Sequence, residues 1–261
     1  MKRLSFATGA IFLFLAFSVS AETSEEKGLA IAKEMKSRDI GWGNSQSQMI
    51  MTLRTRKGQE IVRQMRSKSL EVEGDGDKAL TIFDTPLDVK GTSFLSFSHT
   101  TGNDDQWIYL PALKRVKRIS SKNKSGPFLG SEFAFEDLSS FEIEKFSFDY
   151  LGDDRLNDQD MVIISMDPVD KYSGYTKAKA WVDIDHYRVH KIDFYDRRDT
   201  LLKTLTISGY KLYKNKYWRA DKQAMINHKT GKSTDIEIKN LEFDVGLTDS
   251  DFNQNRLKRA R

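Results

Sequence analysis

Alternation constrains this chain more than any other feature. Between residues 175 and 245, apolar and polar residues exchange at a spacing of two, and turn-forming clusters interrupt them. That is the pattern of an antiparallel meander. Segment 177–183 turns through 184–187 and returns as 188–195. Arg197-Arg198-Asp199 leads into 201–213, Lys214-Asn215-Lys216 into 217–227, and His228-Lys229-Thr230-Gly231 into a last long strand, 233–245. Two of these strands lose phase. Leu205 and Ile207 are odd but Tyr210 and Leu212 even, with Gly209 between; Ile236 and Ile238 are even but Leu241, Phe243 and Val245 odd. A β-bulge produces such a shift, and bulges bend sheets.

The N-terminal half continues the theme. Thr23-x-x-Glu26 is a capping box that opens a helix over 23–38, with Gly41 as its stop. A lone helix of this length is marginal in water, so it must pack on something. Strands follow at 49–53, 60–73, 79–83, 94–97 and 107–110, and later at 142–151 and 160–166 around the expected turn Gly152-Asp153-Asp154. About ten antiparallel strands with few helices predict one strongly curved sheet or an incomplete barrel. No linker-like composition divides residues 22–261, which read as a single domain.

Residues 104–141 stand apart. An aromatic strand, Trp107 to Leu110, ends at Pro111; a basic run follows, with Lys114, Arg115, Lys117, Arg118, Lys122 and Lys124. A segment broken by Gly126-Pro127 and Gly130 then carries Phe128, Phe133, Phe135 and Phe141. Ser131, Glu132 and Glu136-Asp137 could start a short helix with Phe135 and Leu138 on one apolar side. Two readings stay open: a loop pinned by core aromatics, or a mobile lid over an apolar cavity.

The first residues bound the setting. Met1-Lys2-Arg3, an apolar run over 4–17 and Ser18-Val19-Ser20-Ala21 describe a signal peptide, 1–21, cleaved after Ala21. The chain has no cysteine, which excludes disulfides and thiolate chemistry. Its net charge is +4, a near balance that argues against a nucleic-acid binder. The local basic runs could meet an anionic membrane surface or an acidic partner, or simply be solvated strand ends.

Catalytic patterns are missing. Ser131 follows Gly130 but Phe133 breaks a G-x-S-x-G elbow, and Gly74-Asp75-Gly76 lacks the context of a nucleotide loop. His186 and His190 are four apart in a hairpin, a poor zinc spacing on a strand. The acidic pairs Asp104-Asp105, Asp153-Asp154 and Asp183/Asp185 fall at expected turns, where carboxylates cap amides. No enzyme, metal site or cofactor is expected.

Trp107-Ile108-Tyr109-Leu110-Pro111, Arg115 to Ile119, and Gly126-Pro127-Phe128-Leu129-Gly130-Ser131-Glu132-Phe133 through Glu136-Asp137-Leu138 resemble the LolA-like outer membrane lipoprotein-sorting proteins. Trp181-Val182-Asp183 and Lys191 to Tyr195 extend the resemblance over most of the chain. Glu132 stands where the family usually has aspartate, and Leu129 where methionine is common. The resemblance implies a mainly β fold: a half-open, unclosed barrel with helical lids, whose concave face holds lipid acyl chains. It implies a periplasmic, monomeric carrier of lipoproteins or other lipids, serving an outer-membrane acceptor or an RND-type exporter. The expected lipid and lid residues are Phe128, Leu129, Phe133, Phe135, Leu138, Trp107 and Tyr109. Lys114, Arg115, Lys117 and Arg118 are the expected rim for a headgroup or partner. The lid-locking arginine of the best-known carrier has no counterpart that a motif identifies. The same fold serves lipid-sensing regulators of anti-sigma partners, the alternative function.

Overall fold

All strands of the computed structural model, which describes residues 21–259, join one antiparallel sheet. The expected signal peptide lies almost wholly outside the described residues. The strands of the first half are β1 (Asn44–Arg54), β2 (Glu60–Leu70), β3 (Lys78–Thr85), β4 (Ser93–Phe97), β5 (Asp105–Leu110) and β6 (Arg115–Arg118). Those of the second half are β7 (Phe146–Leu156), β8 (Gln159–Pro168), β9 (Tyr175–Asp183), β10 (Val189–Asp196), β11 (Leu201–Tyr213), β12 (Tyr217–Asn227) and β13 (Ser233–Phe243). The spatial order is β6-β5-β4-β3-β2-β1-β13-β12-β11-β10-β9-β8-β7, so the sheet has two edges and does not close. It is mainly β and half-open, as the sequence predicts.

One long helix, α1 (Ser24–Ser37), starts where expected. Thr23 Oγ1 accepts from the Glu26 amide at 3.1 Å while the Glu26 carboxylate accepts from the Thr23 amide at 2.9 Å. Ile31 and Ala32 are buried against Phe148, Ile164, Ala180 and Val182 on the inner faces of β7–β9. Gly28 permits this approach: a Cβ there would come within 2.9 Å of Asp149 backbone atoms.

Bulges curve the sheet. Gln46 faces Glu242, but Gln48 faces Lys239, so the shift read in the last strand is a bulge, with Asn240 at φ 49°. The expected bulge at Gly209 takes another form. Ser208 pairs with Lys222 and Tyr210 with Ala220, so register holds, while Gly209 adopts φ +70° and both strands change face together. The expected turn at Gly152 is also corrected. Tyr150 pairs with Ile164 and Gly152 with Ile163, which makes Leu151 a bulge inside β7. The hairpin turns instead at Asn157 and Asp158, with φ 52° and 62°, the left-handed pair that matches strand twist.

Three covers complete the packing. α1 lies over the inner face of β7–β9. The connection between β6 and β7, residues 119–145, crosses the inner face of the N-terminal strands with four short 3-10 turns: Ser121–Asn123, Phe128–Gly130, Phe135–Leu138 and Ile143–Lys145. Behind the sheet, Phe252 and Leu257 of the C-terminal 3-10 turns bury Leu80, Ile82 and Leu95. Both faces of β3–β5 are therefore covered.

Candidate functional site

The middle strands are left with space above them. On the inner face, β9 presents Ala178 and Ala180, β10 Ile192 and Phe194, and β11 Leu205 and Ile207, as the pairing registers require. Alternation places these side chains together. Ala180 packs under α1, whereas Ala178 takes little room, and α1 on one side and residues 119–145 on the other leave space over the strands beyond it. A cavity of about 1220 Å³ results, walled by Met35, Phe133, Phe141, Met166, Ala178, Ile192, Phe194, Leu205, Ile207, Tyr210, Leu212 and Trp218 among others. It lies above the usual range of roughly 300–1,000 Å³ for small-ligand sites.

Residues 126–138 form its inner wall and are firmly held. The Phe128 amide donates to the Phe133 carbonyl at 2.7 Å and the Phe135 amide to the Gly126 carbonyl at 3.1 Å. Phe128 is 2% exposed and packs its ring 5.1 Å from Phe94, 5.7 Å from Phe135 and 5.9 Å from Phe83. Side chains from the sheet complete the attachment. Arg63 Nη1 donates to the Leu129 carbonyl at 2.8 Å, and Lys203 Nζ to the Glu132 carbonyl at 2.8 Å. Lys203 also pairs with Asp137 at 3.1 Å, a nearly buried contact that Tyr175 joins with its hydroxyl 2.8 Å from Asp137. Burial lowers the Arg63 pKa, only partly offset by Asp88. Burial also raises Tyr175 far above the phenol range, and the Asp137 charge adds to it.

Many of the charges that line the cavity have partners. Lys36 donates to Glu142 at 2.9 Å, Arg219 meets Asp39 at 2.5 Å and Lys124 meets Asp170 at 2.7 Å. Arg188 donates to Asp183 at 2.7 Å and lies over the Trp218 ring at 4.5 Å. Burial pushes the Asp183 carboxyl up, but hydrogen bonds from His190 and Arg188 outweigh it and hold the pKa at about 2. Glu136 goes the other way: burial raises it, although the Gly174 amide and the Ser173 hydroxyl donate to it at 2.8 Å. Asp77, at the α1 end, is raised by burial to about 7, with Lys36 opposing the shift.

The expected site residues separate into groups. Phe128 and Phe133 are buried in the core of the N-terminal half, with Leu129, Phe135 and Leu138 packed against it. Of these five, Phe133 alone lines the large cavity. Trp107 and Tyr109 lie on the opposite face of the sheet, against Leu80, Leu95, Phe252 and Leu257. The inner positions of β5 are Gln106 and Ile108 instead. Lys114, Arg115, Lys117 and Arg118 are exposed on the β5–β6 hairpin at a sheet edge and do not line the cavity; Arg118 pairs with Asp105. The helix expected near Ser131 is one 3-10 turn, Phe135–Leu138, capped where Asp137 accepts from the Ala134 amide at 2.7 Å. His186 and His190 both serve Asp183: the His186 amide donates to it at 2.7 Å and His190 Nε2 lies 2.8 Å away.

Sequence reasoning missed the two side chains that tie the wall down and most of the cavity lining. Arg63 lies beside Met65 on the inner parity of β2, and Lys203 beside Leu205 on that of β11. A long cation on an otherwise apolar face was the readable signal. Alanines alternating with lysines in β9 were the sign of a wall that leaves room.

An open antiparallel sheet curled over an apolar cavity, with short turns laid across its concave side, defines the LolA-like class of fold. A family profile described as "Uncharacterized protein" matches residues 75–259. An outer membrane lipoprotein-sorting protein domain from Vibrio parahaemolyticus is 61% identical, with TM-score 0.89, covering 90% of this chain and 100% of that one. A DUF1329 family protein from Desulfovibrio piger ATCC 29098 is 28% identical, with TM-score 0.85, over 90% and 99% of the two chains. A LolA superfamily protein from Nitrosomonas europaea shares the fold at 18% identity and TM-score 0.69, again over 90% and 99%. Comparison with curated proteins returns no match. The chain belongs to the outer membrane lipoprotein-sorting protein family.

Proposed function

We propose that this protein is a periplasmic carrier that encloses lipid acyl chains in the cavity over β9–β12, after removal of residues 1–21. The observation that supports it most is the cavity itself: large, walled in good part by aliphatic and aromatic side chains, with most of its bordering charges paired. About ten methylenes moved from water into such a space gain roughly 8 kcal/mol before ordering costs. Residues 126–138 act as the inner wall, and Phe133 is the wall residue that touches the chain. Arg63, through the Leu129 carbonyl, is the residue we assign to locking that wall. Cargo then passes toward an outer-membrane acceptor or to or from an RND-type exporter.

Filling the cavity tests this reading. Ile207→Trp occupies the space without touching the attachments of residues 126–138. A fluorescent fatty acid is expected to bind the native protein and to bind this variant at least roughly tenfold more weakly, a loss of about 1.4 kcal/mol. Equal binding by both proteins would place the ligand elsewhere.

A further inference from the structure

The two ends of the sheet differ in charge. Strands alternate in direction, so six hairpin loops project at one end: TRKGQ (55–59), PLDVKGT (86–92), PALK (111–114), VDKYSG (169–174), RRDT (197–200) and HKTGK (228–232). Nine lysines and arginines stand there against three acids. The five hairpin loops of the other end read EVEGDGD, SHTTGND, ND, IDHYR and KNK, with seven acids against three lysines and arginines. The hairpin loops alone thus carry a net +6 at one end and −4 at the other.

Neighbouring loops of the basic end are in contact. Gly231 lies beside Arg56, and Gly91 beside Pro111. Lys229 pairs with Asp196 at the end of β10, and Arg197 donates to the Ser173 carbonyl at 3.0 Å. Apolar tips project from the same end. Leu87, Val169 and Leu113 are 86%, 64% and 52% exposed, the largest values for big apolar side chains among the described residues. Leu87 and Leu113 each have a lysine close by in sequence, Lys90 and Lys114, both exposed.

We propose that the basic end docks the protein on the surface of an anionic lipid bilayer, with Leu87 and Leu113 entering the headgroup layer. A protein interface needs a contiguous apolar centre, whereas here single apolar tips stand on separate loops within a spread field of cations. That arrangement suits a fluid anionic surface, which attracts each nearby cation and accepts isolated apolar side chains. The acidic end then faces away, so this difference in charge orients the molecule before contact. The inference does not depend on what the cavity holds.

Vesicle co-sedimentation of the mature protein, residues 22–261, tests it, using phosphatidylglycerol–phosphatidylethanolamine and phosphatidylcholine vesicles. The native protein is expected to bind the anionic vesicles, to lose binding as salt rises, and to ignore phosphatidylcholine. K57E/K90E/K114E is expected to bind at least roughly tenfold more weakly. L87D/L113D should lose binding at low salt too, while E73K at the other end retains it. All altered residues are on exposed loops, and circular dichroism confirms that each variant is folded. Binding that is equal on both vesicle types, or unchanged in the triple variant, would overturn the proposal. So would absent vesicle binding alongside a stoichiometric complex with an acidic protein.

Discussion

Asp77 is the residue whose chemistry is most exposed to experiment. It sits just before β3, near α1 and the crossing segment: its amide donates to Ser140 Oγ at 3.2 Å, and Ser140 in turn donates to Glu142 at 2.7 Å. Burial raises its pKa from 3.8 to about 7, and Glu142 adds to the rise. The folded state therefore holds this proton more tightly than the unfolded chain does. The associated stability is fully present below about pH 4 and is lost as pH rises through about 7. Asp77→Asn removes the titration. Its melting temperature relative to the native protein is expected to climb between pH 4 and pH 8 and then level off. A difference that stays constant across that window would show that Asp77 carries its charge without penalty.

At the scale of elements, residues 126–138 decide how the cavity is walled. The sequence leaves a pinned loop and a mobile lid open, and the hydrogen bonds from Arg63 and Lys203 favour the pinned form in the structure described here. Phe128→Ala would open a void among Phe83, Phe94 and Phe135 and is expected to cost about 3–5 kcal/mol in denaturant unfolding. A loss below about 1 kcal/mol would mean that the segment is only loosely seated. Much of this region was legible beforehand: the phenylalanines, the glycine breaks and the apolar side of Phe135 and Leu138. Trp107 and Tyr109 were not, because a period of two separates two faces without saying which is concave. Their face looked like cavity lining only because the C-terminal turns, through Phe252 and Leu257, make the back of β3–β5 equally apolar. The bulge near Asn240 could be read from the even-to-odd shift in the last strand, whereas the like shift at Gly209 was no bulge. Gly152 misled, because a glycine followed by two aspartates suits a turn and a bulge alike.

For the whole molecule, the sequence shows a curved, open sheet because alternation, turns and phase shifts are all local signals. It does not show the cavity, which depends on how far α1 and the crossing segment stand from β9–β12. Nor does it show the charge separation of the two ends, since basic loops far apart in sequence meet only when strand direction is known. The central claim is that the space above β9–β12 holds acyl chains. Native mass spectrometry of the protein purified from periplasm, followed by extraction and identification of bound lipid, tests it most directly. The native protein is expected to carry an acyl lipid that Ile207→Trp, equally folded, does not. A lipid-free native protein, or the same lipid load on both, would contradict the claim.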